Sequence, residues 1–403
     1  MKYNKKFILF LLAALNFTHI LDFMIMMPLG NYLMPYFHIN PRQFSFLVGA
    51  YTLSAAFSGF AAAFFVDRFD RKKLLLFAYG GFLVGTLFCG IAPSYITLLL
   101  ARILAGIFGG MIGAQVLSII ADIFPYEERG KAMGSVMSAF AVASTLGVPF
   151  ALYIANAFSW HAPFIFVVLA GIVIYPLLNK YIPSMTLHMQ NRVEGGPFQA
   201  LKQVASSSRQ RLALLFSMLM MMGHFVIIPF INPFMEFNRG YSKMQTPMIY
   251  LVGGFSSFFA ANILGRLSDK YGKLQVFVIC LLSSLGLVLL ITHLPDVSYP
   301  IVLSFFGIWF VLSTGRAVTA QAMLSNVVAT NQRGSFMSFN SSVQQLGTSM
   351  ASFIAGTVVT ADAAGKLVHF PRLGFLSVGI LFSCLMIAVY IFGSSSKTLT
   401  KEQ

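Results

Sequence analysis

Apolar stretches of about twenty residues, separated by short polar loops, fill the chain from end to end. About twenty apolar residues is the length an α-helix needs to cross a lipid hydrocarbon core. Twelve such stretches are predicted, at 7–29, 44–66, 74–92, 96–120, 132–156, 161–179, 211–235, 246–265, 274–293, 299–323, 335–360 and 373–393. Backbone polar groups inside lipid need partners within their own segment, which favours helices over open strands. The alternation of period two that marks a barrel strand is missing. The pattern therefore predicts an all-α membrane protein with 12 transmembrane helices.

The loops carry the charge. Of 27 Lys and Arg residues, twenty fall in alternate loops and at the two ends, while five (Arg42, Arg239, Lys243, Lys366 and Arg372) fall in the other loops. The positive-inside rule places both termini in the cytoplasm, and an even number of spans agrees. The first stretch follows Lys2, Lys5 and Lys6 as a signal peptide would. It is too long for one and lacks a small-residue cleavage site, so it is expected to be an uncleaved first span.

Composition supports this class. The chain of 403 residues is 57% hydrophobic and 10% charged, against about a quarter charged in soluble domains. The net charge of +15 is explained by membrane orientation, so no nucleic-acid partner is expected. Cys89, Cys280 and Cys384 lie singly in apolar runs. They form neither a disulfide framework nor a metal cluster, and no cofactor or metal is expected. The motifs HExxH, GxSxG and GxxxxGK[ST] are absent, which argues against an intramembrane enzyme and against ATP drive.

The chain also repeats itself. Pro28, Asn31 and Met34 of MPLGNYLM recur as Pro229, Asn232 and Met235 of IPFINPFM. DRFDRK at 67–72 recurs as DKYGK at 269–273, and ERGKAMGS at 128–135 as QRGSFMSF at 332–339. Three matches in order at a nearly constant lag predict two pseudo-symmetric six-helix bundles, 1–180 and 210–403, joined by a polar cytoplasmic linker, 181–209. Internal repeats of this kind are a common plan for transporters, with the substrate between the halves.

Several stretches resemble the major facilitator superfamily. GRLSDKYGK, Gly265–Lys273, is similar to that family's loop signature. The first-half copy keeps Asp67, Arg68, Arg71 and Lys72, with Ala63 and Asp70 in place of glycines. LLLARILAGIFGG resembles the fourth-helix signature, with Arg102 and Gly106 in register. STLGVPFA, with Gly147 and Pro149, is similar to the fifth-helix signature of proton-driven exporters of drugs, sugars or nucleosides, except that Val148 stands between the two. The resemblance implies alternating access, with Gly147 and Pro149 bending helix 5 at the contact between halves. The charged loops are read as a cytoplasmic gate made by Asp67, Arg68, Arg71, Arg129, Gly265, Asp269, Gly272 and Arg333, or as topology charges on solvated turns.

Charged and titratable groups within the spans are few: His19, Asp22, Arg102, His224 and Arg316. Such groups are costly in lipid and face the protein interior by default. Asp22 lies seven residues from the outer end of the first span and Arg102 six from the outer start of the fourth, both ~10 Å deep at the helical rise. Opposite charges at one depth predict a pair, either a proton carrier or a permanent structural bridge. His19, one turn from Asp22, is a relay candidate or a core histidine. Gly106, Gly109, Gly110 and Gly113 form a stripe that permits close helix approach.

Arg316 has no acid in its own span. It faces water or a ligand, or pairs with an acid of another helix. With His224, Gln115, Asn340, Gln344 and Gln345 it forms the candidate substrate-binding set. The expected function is a monomeric secondary transporter exporting a small molecule against protons. An uptake symporter and a non-transporting sensor of the same fold are the alternatives.

Overall fold

The structure, a computed structural model, describes residues 4–62, 64–186, 202, 204–328 and 333–399, with the side chains of 67, 126, 127, 130, 333–335 and 394–399 outside the description. The first half contains α1 Lys5–Ile25, α2 Gly30–Phe37, α3 Pro41–Ala62, a short 3₁₀ turn Val66–Arg68, α4 Arg71–Gly90 and α5 Tyr95–Ile123. It continues with α6 Tyr126–Val142, a π-turn Ala143–Gly147, α7 Val148–Ala157 and α8 Ala162–Tyr181. The second half contains α9 Ser208–Phe225, α10 Ile228–Pro233, a π-turn Phe234–Asn238, α11 Thr246–Tyr271, α12 Lys273–Thr292, α13 Tyr299–Ser325, α14 Arg333–Val358 and α15 Phe370–Leu399.

Eleven segments among the described residues are long and apolar enough to cross a membrane. Each takes in or overlaps one of the expected stretches. The remaining expected stretch, 335–360, is a helix, α14, but it is not among the eleven. Its sequence explains why. Ser338, Asn340, Ser341, Ser342, Gln344, Gln345, Thr348, Ser349 and Ser352 punctuate it. Several of these hydroxyls return to their own helix, as Thr348 does to the Gln344 carbonyl at 3.1 Å and Ser352 to the Thr348 carbonyl at 3.1 Å. Bonds of this kind satisfy a hydroxyl without a partner from another helix.

Proline sets the breaks. The run expected at 211–235 is a single helix only to Phe225, and restarts as α10 with Pro229 in its first turn. A second π-turn follows Pro233. Helix 1 is interrupted likewise: α1 stops at Ile25, and α2 begins beyond Pro28. Proline lacks the amide hydrogen that would continue the ladder, so the matched positions of the repeat break both helices at the same place. One feature of the loops was not expected: a two-residue antiparallel ribbon pairs Thr360 with Val368 and Ala361 with Leu367. Asn238 clasps it, donating to the Leu367 carbonyl and accepting from the Leu367 amide, both at 2.9 Å.

Two of the contacts that join helices of the first half to helices of the second lie along α14 and α11. α3 runs antiparallel along α14. Ser349 donates to the Gly49 carbonyl at 3.0 Å, a methyl at Gly59 would lie 3.1 Å from Ser342 Oγ, and the rings of Phe60 and Phe339 are 5.7 Å apart. Small residues let these backbones approach, as is usual where helices pack within lipid. The second contact sets α11 on the π-turn at Ala143–Gly147. There a methyl at Gly254 would lie 2.7 Å from the Thr145 backbone nitrogen.

Candidate functional site

The face of α1 that carries Thr18, Asp22 and Ile25 is buried. Thr18 anchors it, donating to the Leu15 carbonyl and sharing a 3.0 Å bond with the Tyr79 hydroxyl. Asn16, on the next turn, donates to the Val136 carbonyl at 3.2 Å. Asp22 meets Arg102 of α5 as the depth count predicts. Arg102 Nη1 donates to Asp22 Oδ2 at 2.8 Å, and both side chains are 0% exposed. The guanidinium lies 4.3 Å from the centre of the Tyr51 ring, where the negative face of the ring favours a cation.

The glycine stripe of α5 makes room for this. A methyl at Gly106 would meet the Tyr51 carbonyl, and one at Gly109 would lie 2.6 Å from the Tyr51 hydroxyl and 3.0 Å from His19 Nε2. Gly110 abuts Ala55 in the same way, whereas Gly113 has open space before it. The stripe therefore seats α3 and His19 against α5 over three of its four glycines.

The pair is incompletely satisfied. Asp22 Oδ1, Arg102 Nε and Nη2, and His19 Nε2 have no hydrogen-bond partner among the described residues. Thr86 stands beside the carboxylate without reaching hydrogen-bonding geometry. A buried pair with unmet polar atoms is poor glue, because the attraction offsets desolvation only where every group is satisfied. It is well suited to exchanging a proton or a partner.

A second buried cation lies in the other half. Arg316 of α13 is 2% exposed. Its Nη2 donates to Ser313 Oγ at 3.1 Å and approaches His224 Nδ1 at 3.5 Å. The His224 ring stacks on Trp309 with centroids 5.1 Å apart. Arg316 Nε and Nη1, Trp309 Nε1 and Asn340 Oδ1 have no hydrogen-bond partner among the described residues. No acid is paired with Arg316 among the described ion pairs.

The structure brings His224 and Arg316 together, but not the rest of the expected binding set. Gln344 donates to Ser217 Oγ at 2.9 Å, tying α14 to α9. Gln115 is buried in α5 with both amide atoms unpartnered among the described residues, Asn340 is buried in α14, and Gln345 is half-buried. None of the three bonds to Arg316 or His224 among the described residues.

The loop charges pair within halves. Arg71 Nε lies 2.7 Å from Asp122 Oδ2 at the end of α5, an acid not singled out from the sequence. Asp269 sits 4.0 Å from Lys273 on the next turn. Arg129 Nε donates to the Phe124 carbonyl at 3.1 Å, and Arg68 is exposed. The side chains of Asp67 and Arg333 lie outside the described residues. Gly272 ends α11 at φ +98°, a conformation that favours glycine; Gly265 faces only Val318, at the limit of contact. Where the first half has Asp70 instead, the chain turns differently. Asp70 adopts φ −57° and caps α4, accepting from the Lys72 amide at 2.9 Å, the Met185 amide at 3.1 Å and the Ser184 hydroxyl.

Gly147 and Pro149 stand at the end of the π-turn and the start of α7. The lost amide of Pro149 removes a helical bond to residue 145, and the wider turn absorbs the defect. A methyl at Gly147 would lie 2.9 Å from Leu21, one residue from Asp22.

Asp22 is not the only acid within a spanning segment. Glu236 lies in the π-turn at the end of the segment Ser208–Asn238 and accepts from Thr246 Oγ1 at 3.0 Å. Asn31 and Lys243 face it, and Lys243 Nζ also lies 4.2 Å from the centre of the Tyr32 ring. A span ended at residue 235 stops one position short of it. The helix continues because the π-turn accommodates the residues after Pro233.

Comparison with known proteins agrees with this architecture. An uncharacterized MFS-type transporter of Bacillus subtilis strain 168, YceJ, is 26% identical over 340 residues, covering 83% of this chain and 85% of that protein. Multidrug resistance protein 3 of the same organism is 32% identical over 130 residues, covering 32% of this chain and 25% of its own. The solved structure of a point mutant of the nucleoside transporter NupG superposes with a TM-score of 0.76 at 12% identity, covering 96% of this chain and 100% of that one. A bacterial homologue of the human lysosomal transporter Spinster, inward-facing and occupied, superposes at 0.71 with 17% identity, covering 99% and 98%. At such identities these two likenesses describe the fold alone. The family model of the Major Facilitator Superfamily matches residues 11–352, and this chain, a multi-pass membrane transporter and not an enzyme, belongs to that superfamily.

Proposed function

We propose that this transporter exports a small molecule across the cytoplasmic membrane by proton antiport. Its helices, twelve with α14, form two six-helix bundles that open alternately. Both termini lie in the cytoplasm, and the chain acts as a monomer. The observation that carries the reading is the Asp22–Arg102 pair, 2.8 Å apart, wholly buried and with one carboxylate oxygen unpartnered among the described residues. A carboxylate held by a single cation changes its proton affinity when that cation or its solvent access changes. His19 stands on the preceding turn as a relay.

The substrate contacts assigned here are His224 and Arg316, with Gln115, Asn340, Gln344 and Gln345 lining the path. The loop residues Asp67, Arg68, Arg71, Arg129, Gly265, Asp269, Gly272 and Arg333 form the cytoplasmic gate. Gly147 and Pro149 shape helix 5 where it meets the second half.

The test is proton movement in inverted vesicles carrying an imposed pH gradient, to which lipophilic cations, nucleosides, sugars and organic acids are added in turn. A substrate that collapses the gradient with the native protein and not with Asp22→Asn supports antiport. Substrates that cross without moving protons would make Asp22 a structural partner of Arg102.

A further inference from the structure

We infer that Arg316 is the binding point for a substrate that is a small organic monoanion, a carboxylate with an apolar or aromatic body. This rests on the reading of His224 and Arg316 as substrate contacts.

The second half is poor in acids, which are Glu236, Asp269, Asp296, Asp362 and Glu402. Glu236 lies at one end of its spanning segment, Asp269 at the end of α11, Asp296 and Asp362 in loops, and Glu402 in the tail. Arg316 stands inside α13, nine residues from its end at Ser325, ~14 Å along the helix. Ser313 and His224 lie within reach of its guanidinium, and the thiols of Cys280 and Cys384 are near enough to feel its charge. Ser313 and the Nδ1 of His224 satisfy a single nitrogen of the guanidinium. Arginine stays charged in a protein, and an uncompensated buried charge is strongly destabilising. Arg102, at 0% exposure, shows the usual remedy in this same chain, an aspartate at 2.8 Å. Arg316 has two nitrogens unpartnered among the described residues. The missing countercharge suits an anion that comes and goes.

One cation selects one negative charge. A phosphate dianion would leave a net charge in the same low-dielectric surroundings, whereas a carboxylate balances Arg316 and matches its planar donors. The rest of the site selects the body. Trp309 stacks on His224, and its Nε1 donor has no partner among the described residues. From there a chain of rings crosses to the first half: His224 to Phe225 at 5.3 Å, Phe225 to Phe23 at 5.9 Å, and Phe23 to Tyr51 at 5.8 Å. Tyr51 is the ring under Arg102. An apolar or aromatic body lying along these rings would touch both halves. It would also place its carboxylate at one buried arginine with the proton-bearing pair at the other end.

The test is binding to the purified full chain in detergent, which does not depend on proton coupling. The chain has two tryptophans, so Trp160→Phe leaves Trp309 as the only indole. The probes are phenylacetate and octanoate, their amides phenylacetamide and octanamide, and the cation phenethylamine. The expected result is a saturable change in Trp309 emission with both acids, and at least about thirtyfold weaker binding of the amides and the amine. Arg316→Gln should weaken acid binding by a similar factor, with Arg316→Lys retaining part of it. Amides that bind as well as acids would overturn the proposal, as would unchanged acid binding in Arg316→Gln or no response to either acid. Should Arg316→Gln not fold, the acid-to-amide ratio of the native site decides alone. Failure of the antiport reading would appear only in the vesicle assay.

Discussion

Asn232 donates its side-chain amide to the Pro28 carbonyl at 3.0 Å. The bond joins the two copies of one sequence repeat to each other. It ties the broken end of helix 1 to that of helix 7, with Phe44 and Phe230 in ring contact at 6.0 Å beside it and Asn156 donating to Met244 Sδ at 3.1 Å farther along the same end. The end of the molecule opposite the basic loops is thereby bridged by contacts between the halves.

Removing this tie should open that end. Asn232→Ala leaves the buried Pro28 carbonyl unmet, at a cost of about 1–3 kcal/mol to the closed form. The measurement is the labelling rate of a cysteine placed at Asn31, which is 1% exposed. Labelling should be faster in Asn232→Ala, and equal rates would mean that the bond does not hold the closure.

The Asp22–Arg102 pair should behave as a coupled unit in stability as well as transport. Either Asp22→Asn or Arg102→Gln leaves a buried partner alone and should cost about 3–5 kcal/mol. The double variant, with no charge left, should melt at a higher temperature than the Asp22→Asn single variant. Simple additivity of the two losses would show that the pair makes no energetic contribution.

Gly254 is predicted to be intolerant of any side chain. Gly254→Ala places a methyl against the Thr145 main chain, which cannot swing aside as a side-chain tip can. Overpacking of this kind costs roughly 1–3 kcal/mol. Gly286→Ala, which faces open space, is the control. Transport and melting temperature should fall in the first and not in the second.

Asp70 supplies a pH dependence with a definite sign. Partial burial alone would raise its carboxyl, but hydrogen bonds from Ser184, the Met185 amide and the Lys72 amide, with the charge of Lys73, hold it below the usual aspartate range. A folded-state value below the unfolded one stabilises above the unfolded value, near about 4, and the contribution is lost as pH falls through the folded value. Asp70→Ala should therefore lower the melting temperature at neutral pH, by about 1 kcal/mol or more of lost capping. The gap should narrow below about pH 4. A gap independent of pH would refute the ionised cap.

The Arg71–Asp122 contact, half-buried at 2.7 Å, should give a coupling near about 1 kcal/mol in a double-mutant cycle. The exchanged pair Arg71→Asp/Asp122→Arg should recover stability lost in either single variant. No recovery would place the partner of Arg71 elsewhere.

The sequence made the spans and the Asp22–Arg102 pair legible for the same reason. Lipid tolerates so few charges that counting residues from a span's end fixes both depth and partner. The limits lie where that economy ends. Arg71 opens α4 with Asp67 and Asp70 nearer to it in sequence, and nothing in the spacing singles out Asp122. Glu236 lies one position beyond a span expected to end at 235, and a π-turn carries the helix past that point. Tyr51 beneath Arg102 leaves no mark in sequence at all, since an aromatic on a buried helix face looks like packing. In α14 the polar residues blur the signal that the other eleven segments give.

That polarity of α14 bears on how the protein is made. Synthesis runs from the N-terminus, so α3 is in the bilayer before Ser349 emerges 300 residues after Gly49. A segment less apolar than the other eleven meets a surface with Gly49 and Gly59 already in place to receive it. For this helix the finished first half takes the place of the membrane as solvent. A chain carrying bulky side chains at Gly49 and Gly59 is expected to leave α14 outside the bilayer, with α15, the helix that follows it, facing the wrong way.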